Sequence, residues 1–310
     1  MKNHINPRRN FLKNAALGSA LATFTSGVSL ASTSEKAKAR REFNMNYAPH
    51  FGMFKNHAGD DYIDQINFMA EQGFTAFEDN GLMNRSLEDQ KRIGAALEKN
   101  NMTMGVFVID PGFNWKTGLT TGKQEFKEAF IKECEKAVEV AKIVNAKWMT
   151  VVPGYFERRL PLDQQTANVI EAYKLASDVF EPHNLTMVME PLSDNPDLFL
   201  RHSNQGYLIC KSVDSPACKI LYDIYHMQRN EGDLIKNMQL CWEEIDYIQI
   251  GDNPGRKEPG TGEINYQNVF KWIDNQGFKG VCGMEHGNAM PGKEGEQALI
   301  DAYHKADAFK

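Results

Sequence analysis

The feature that most restricts this chain is a construction repeated four times in its second half: a short, apolar, β-prone run that breaks off at an oxygen-bearing side chain. Leu185-Thr-Met-Val-Met-Glu190 ends at Glu190 before Pro191. Leu221-Tyr-Asp223 gives way to Ile-Tyr-His226, Ile248-Gln249 leads into Ile250-Gly251-Asp252, and Gly280-Val-Cys-Gly-Met-Glu285 ends before His286-Gly287. The donors Glu190, Asp223, Gln249 and Glu285 follow one another at gaps of 33, 26 and 36 residues, close to the roughly 30 residues of one strand-helix-strand unit. Parallel strands require a crossover between them, so this spacing predicts four consecutive parallel strands with their carboxyl ends at one edge. In a closed barrel the four donors would converge on one point.

The first half supplies the strands needed to close it. Strand candidates at 43–47, 74–78, 102–109 and 147–152 alternate with helical patterns at 62–72, 87–99, 124–144 and 163–180. Gly73 stops the first helix and Ser86 caps the second. Beyond Glu190, helices are expected at about 205–211, 233–241, 266–276 and 296–309. Eight strands alternating with eight helices predict an α/β fold of the (β/α)8 TIM barrel type over residues 43–310, and about 250 residues suffice for such a barrel.

Composition and charge narrow the partners. The chain has 310 residues, 42% hydrophobic and 25% charged, with a net charge of -6. The first 31 residues hold Lys2, Arg8, Arg9 and Lys13 and no acid, so the remainder carries about -10. That balance argues against a nucleic-acid partner, since no basic face is available to follow a phosphate backbone. A small-molecule substrate fits better, and a homo-oligomer is compatible.

Residues 1–31 are expected to be a twin-arginine signal peptide. Arg8-Arg9-Asn10-Phe11-Leu12-Lys13 is followed by an uncharged run to Ser34, and Ser29-Leu30-Ala31 offers small residues for cleavage. The expected partner is the twin-arginine export machinery, the expected location the periplasm, and 32–42 a polar linker. The uncharged run is too rich in Ser, Thr and Gly for a permanent membrane anchor. The five cysteines show no CxxC pair; Cys282 falls within a core strand, while Cys210 and Cys218 could pair after export.

Two glutamates, an aspartate and a glutamine form a hard, oxygen-only donor set. It suits Mg²⁺ or Mn²⁺ and tolerates Co²⁺ or Zn²⁺, with no organic cofactor. Such an ion would acidify the C–H of a bound α-hydroxycarbonyl compound, and Glu190 and Glu285 would exchange the proton as well as bind the ion. His226 and Arg256 are expected to hold substrate oxygens. His50, Glu78 and Glu258 are further substrate-binding candidates, the first two at early strand ends. A single strand-end glutamate is more often a solvated or capping group, and Asp252, Glu258 and Glu263 could simply shape the Gly/Pro-rich loop. Four donors at barrel spacing outweigh that reading for the central set.

Two long motifs, Tyr222-Asp-Ile-Tyr-His-Met-Gln-Arg-Asn-Glu-Gly-Asp233 and Ile248 to Tyr266 with its Asn253-Pro-Gly-Arg-Lys-Glu-Pro-Gly-Thr-Gly262 core, resemble hydroxypyruvate isomerase and its relatives in the xylose isomerase-like barrel superfamily. The resemblance implies a metal-dependent isomerase with Glu190, Asp223, Gln249 and Glu285 on the ion, the two glutamates exchanging the proton, and His226 and Arg256 on the substrate. The reaction implied is hydroxypyruvate to tartronate semialdehyde through a cis-enediolate. A ketose 3-epimerase is the alternative, and an abasic-site endonuclease or a non-catalytic sugar-binding barrel are remoter ones. Three features depart from the isomerase pattern: Pro191-Leu-Ser-Asp-Asn-Pro196 after Glu190, His286-Gly-Asn-Ala-Met-Pro291 after Glu285, and the expected export signal at the start. The first two fall at the substrate rim.

Overall fold

A computed structural model describes residues 42–310; the expected export signal and nearly all of the expected linker lie outside the described residues. No helix among the described residues is long and apolar enough to cross a membrane. Nine parallel strands fill the eight barrel positions. They are β1 (Asn46–Ala48), β2 (Ala76–Phe77), β3 (Thr103–Met104), β4 (Phe107–Val108), β5 (Trp148–Val151), β6 (Thr186–Met189), β7 (Cys218–Asp223), β8 (Ile245–Gln249) and β9 (Val281–Gly283). Seven form a sheet in the order β1-β9-β8-β7-β6-β5-β4, and β2 pairs with β3. The circuit closes through backbone bonds at the strand ends: Glu78 N–H donates to Pro49 C=O at 3.1 Å, and Met284 N–H to Ala48 C=O at 2.8 Å.

The expected third strand, 102–109, is broken into β3 and β4. The cause lies across the lumen: the Tyr247 hydroxyl accepts the Val106 N–H at 3.3 Å, and a Cβ on Gly105 would stand 2.3 Å from that oxygen. A tyrosine takes the place of a side chain and satisfies a backbone donor, so the ladder is interrupted without leaving Val106 N–H unpaired.

The helices start and stop where the sequence provides partners. In α2 (Tyr62–Glu71), which follows the single-turn α1 (Lys55–Ala58), Asp61 accepts from Ile63 and Asp64 N–H. In α3 (Leu87–Lys99), Ser86 accepts from Asp89 N–H. After them come α4 (Gln124–Val144), α5 (Leu162–Phe180) and α6 (Ser203–Val213). The turns leading into β5, β6 and β7 use Asn145, Asn184 and Asp214 at φ of 52°, 55° and 56°, residue types that tolerate the left-handed region. The short α7 (Ile224–Asn230), unforeseen in the sequence, begins directly at the end of β7 and precedes α8 (Leu234–Cys241) and α9 (Tyr266–Asn275). The last helix, α10 (Gly292–Ala306), starts earlier than expected. All five cysteines are free and buried, Cys282 within β9 as expected.

The main core lies between the helices and the outer barrel face. A second, smaller cluster fills the lumen: Ala48, Ala76, Val106, Trp148, Val188, Leu221, Tyr247 and Val281, one from each barrel position. This is a plug, on which everything above it rests.

Candidate metal centre

Side chains on a strand alternate between faces, so the residue two beyond each member of the plug again points into the lumen. That rule selects His50, Glu78, Val108, Thr150, Glu190, Asp223, Gln249 and Gly283 as the next layer up. The strand-end donors thus share a face because they share a parity with the plug. In register, Asp223 pairs with Gln249 and Gln249 with Gly283.

One ligand-capable atom each from Glu190, Asp223, His226 and Glu285 lies within 4.8 Å of the others. Asp223 is both strand end and cap of α7: one oxygen accepts Tyr225 N–H at 2.7 Å and His226 N–H at 3.3 Å. Its other oxygen is left for the site, 3.5 Å from His226 Nε2. Arg256 crosses the mouth, donating to Asp223 Oδ2 at 3.0 Å, Glu285 Oε2 at 2.8 Å and the Glu285 carbonyl at 3.1 Å. Its guanidinium lies over the Tyr225 ring at 5.0 Å. Asn80 donates to the other Glu285 oxygen at 3.0 Å.

Three buried polar atoms here, Glu190 Oε1, His226 Nε2 and Gln249 Oε1, find no hydrogen-bond partner among the described residues. Each unsatisfied buried group costs about 1–3 kcal/mol, and converging carboxylates repel one another. A divalent cation held by oxygen donors answers both costs, so the residues fit such an ion. His226 fits a different part. Its Nδ1 faces the Ser193 N–H at 3.2 Å and the Ser193 hydroxyl at 2.8 Å. A backbone N–H can only donate, so the neutral ring carries its proton on Nε2 and offers the site a donor.

Burial dominates the electrostatics. It pushes the Glu190 carboxyl well above the usual range, with Glu285 and Asp223 adding to the effect. Glu285 is pushed up to about 8, by burial first and against the pull of Arg256. Burial lowers His226, opposed by Asp223. Burial would also lower the Arg256 guanidinium, but Asp223, Glu285 and Glu190 around it hold it above its ordinary value.

A cavity of about 460 Å³ opens beside this cluster, lined by His50, Phe51, Glu78, Asp79, Asn80, Arg85, Arg256, Glu285 and His286. His50 meets the carbonyls of Phe51 and His286, at 2.8 and 3.2 Å. Arg85 is paired with Asp79 and lies over the adjoining rings of Phe51 and Tyr62. Glu258 and Glu78, both expected to bind substrate, are placed differently from each other. Glu258 is 3% exposed and accepts the Ala289 N–H at 2.8 Å; it ties the loop after β8 to the loop after β9. Glu78 lines the cavity, and its carboxylate is engaged by Tyr247 and Gln249. Asp252 likewise serves the loop, accepting the N–H groups of Gly260, Gly262 and Ile264.

Sequence reasoning missed Asn80, Ser193 and Asp194. Asn80 lies two residues past the strand-end Glu78, a position that the parity rule could have flagged. Asp194 stands 3.7 Å from His226 Nε2 and, with Ser193, belongs to the segment after Glu190 that departs from the isomerase pattern.

The Xylose isomerase-like TIM barrel family model matches residues 66–304. Hydroxypyruvate isomerase of Escherichia coli (strain K12) is 28% identical over 252 residues, covering 79% of this chain and 92% of that protein. The 2-oxo-tetronate isomerase of Cupriavidus necator is 27% identical over 242 residues, 76% of this chain and 89% of its own length. In structure, an AP endonuclease of family 2 from Brucella melitensis superposes with a TM-score of 0.73 at 23% identity, over 83% of this chain and 98% of that one. With the lumen layer, the closed parallel circuit and the match over residues 66–304 all in agreement, the chain belongs to the xylose isomerase-like TIM barrel family.

Proposed function

We propose that the protein is a divalent-metal-dependent isomerase of a small α-hydroxycarbonyl compound, converting hydroxypyruvate to tartronate semialdehyde by proton transfer through a cis-enediolate. The observation that carries this reading is the set of buried, unpartnered atoms, Glu190 Oε1, Gln249 Oε1 and His226 Nε2, together with the convergence of Glu190, Asp223, His226 and Glu285 within 4.8 Å. Its relatives named hydroxypyruvate isomerase and 2-oxo-tetronate isomerase support the reaction class.

Glu190, Asp223, Gln249 and Glu285 would hold the ion, Mg²⁺ or Mn²⁺ by the hardness of the donors, which supplies Lewis-acid polarisation of the neighbouring carbonyl and hydroxyl oxygens. Glu190 has an oxygen free of any hydrogen bond and takes the proton from the hydroxymethyl carbon of hydroxypyruvate. Glu285 delivers a proton to the former carbonyl carbon while the hydroxyl proton of the hydroxymethyl group passes to the former carbonyl oxygen, which leaves an aldehyde at the hydroxymethyl carbon and a hydroxyl at its neighbour. Burial raises the proton affinity of both carboxylates, which makes them stronger bases. The His226 Nε2–H donates to a substrate oxygen as charge moves onto it, and Arg256 takes the substrate carboxylate.

One observation favours a second reading, a ketose 3-epimerase. The cavity of about 460 Å³ runs from Glu285 to Arg85, longer than a three-carbon acid needs, and Asp194 places an additional carboxylate beside His226. Incubation with Mn²⁺ or Mg²⁺ in deuterated buffer, followed by NMR, separates the two. Deuterium entering hydroxypyruvate with formation of tartronate semialdehyde is the expected result. Exchange confined to C3 of a ketose would replace the first reading by the second, and no exchange into either substrate would overturn both.

A further inference from the structure

The Gln249 side chain can serve a cation only if its amide oxygen, and not its amide nitrogen, faces the cluster. The two orientations fill nearly the same space, so something must choose between them. Below Gln249 lies Glu78, whose side chain crosses the lumen from β2. It occupies the room that Gly283 leaves open: a Cβ there would stand 1.9 Å from Glu78 Oε2 and 3.0 Å from Gln249 Cγ.

One backbone group sets the direction of the Tyr247–Glu78 hydrogen bond. Val106 N–H donates to the Tyr247 oxygen, so the Tyr247 proton is directed to Glu78 Oε2, 3.0 Å away. Both Glu78 oxygens then lie 3.3 and 3.4 Å from Gln249 Nε2. An acceptor already fixed from below holds the amide nitrogen down and leaves Gln249 Oε1 buried and without a partner on the other side.

We propose that Glu78 is a positioning residue that locks the Gln249 amide with its oxygen toward the Glu190–Asp223–Glu285 cluster, so that Gln249 becomes a cation ligand. This rests on the function proposed above, and it assigns Gly283 and Tyr247 a purpose: the glycine makes room for the carboxylate and the tyrosine fixes it from below. A merely structural Glu78 would support the barrel, whereas a positioning Glu78 acts on the ion through Gln249 alone.

The test is a double-mutant cycle read by Mn²⁺ binding, with free ion followed by electron paramagnetic resonance and metal-free melting recorded in parallel. Glu78→Leu and Gln249→Ala should each weaken Mn²⁺ binding about tenfold, the lower end of the effect of removing a group that orients a ligand. The double variant should bind no more weakly than Gln249→Ala alone, with the metal-free melting temperature of Glu78→Leu not lowered. Additive losses would mean that Glu78 acts by its charge or by general support and would overturn the proposal, as would unchanged binding in Glu78→Leu. Should Glu78→Leu fail to fold, Tyr247→Phe, which removes one of the donors fixing Glu78, goes through the same cycle with the same criteria. If the unaltered chain binds no Mn²⁺, the proposed function itself falls, an outcome distinct from the failure of the cycle.

Discussion

The two halves of the barrel are built to different standards. From β6 to β9 each strand pairs with the next in one sheet, with a single register shift between Ile220 and Leu221, and register partners place Asp223 beside Gln249 and Gln249 beside Gly283. From β1 to β4 no strand exceeds three residues, and the ladder breaks where Tyr247 inserts at Gly105. The half with the tight ladder carries the proposed cation donors; the half with the loose one walls the cavity through His50, Phe51, Asn80 and Arg85. Continuous pairing fixes the height of a strand end, which a set of converging donors requires. A substrate wall needs room, and short strands leave more of the chain to loops.

The largest effect should therefore fall on the tight half. Glu190→Gln and Glu285→Gln keep shape and remove the exchangeable proton, so each should lower turnover of hydroxypyruvate about 10³-fold, within the range general acid–base groups supply. His50→Ala, on the loose half, should cost less than tenfold. Deuterium exchange followed by NMR, with circular dichroism to check the fold, measures all three. Equal losses in the two halves would erase the contrast.

The same carboxylates give a pH signature. The folded-state pKa values of Glu190 and Glu285 lie above those of an unfolded glutamate, Glu285 at about 8, so the folded chain binds protons more tightly than the unfolded one. Their contribution to stability is therefore full below about pH 4.3, the unfolded value, and declines as pH rises to about 8. Metal-free protein should melt lower at pH 8 than at pH 5, by on the order of 5 °C. Mn²⁺ requires the ionised carboxylates, so its stabilising effect should grow over that same interval. Thermal melts in chelator and in Mn²⁺ at both pH values check the prediction; a metal effect larger at pH 5 would contradict it.

The contrast also shows what the sequence could reveal. The four donors were legible because each terminates a run that must be a strand, and lumen parity follows from the strand alone. The break at Gly105 was not legible, because its cause is the Tyr247 hydroxyl, 142 positions later in the chain and across the lumen. Glu78 and Glu258 looked alike as substrate candidates. Their partners, Tyr247 and Gln249 for one and Ala289 N–H for the other, come from other barrel units, and no local pattern announces them. Asp223 was singled out as a candidate donor but not as a helix cap, since the seven-residue α7 is too short to show a helical repeat.

Two smaller predictions concern groups at the mouth of the proposed cation site. Arg256 uses several donors at once, reaching Asp223, Glu285 and a carbonyl. A lysine keeps the charge but loses that fork, so Arg256→Lys should reduce kcat/KM for hydroxypyruvate about 10- to 100-fold, mainly through KM. Glu258→Gln, which alters only a loop tie, should cost less than a few-fold. Steady-state kinetics on both decide whether the loop after β8 acts on substrate through Arg256 alone; a larger loss for Glu258→Gln would restore Glu258 as a substrate group.

A comparably small effect should come from Ser193. The His226 Nδ1 is held by two donors from this one residue, its backbone N–H at 3.2 Å and its hydroxyl at 2.8 Å. Ser193→Ala removes the second and keeps the first, so the ring still carries its proton on Nε2 and turnover should fall only about two- to fivefold, matching a net hydrogen-bond contribution of about 0.5–1 kcal/mol. His226→Asn should fall further, because it removes the Nε2–H itself. If Ser193→Ala instead matched His226→Asn in kcat, the hydroxyl and not the backbone would be setting the tautomer, and the tight half of the barrel would owe its proton geometry to a side chain in the loop after β6.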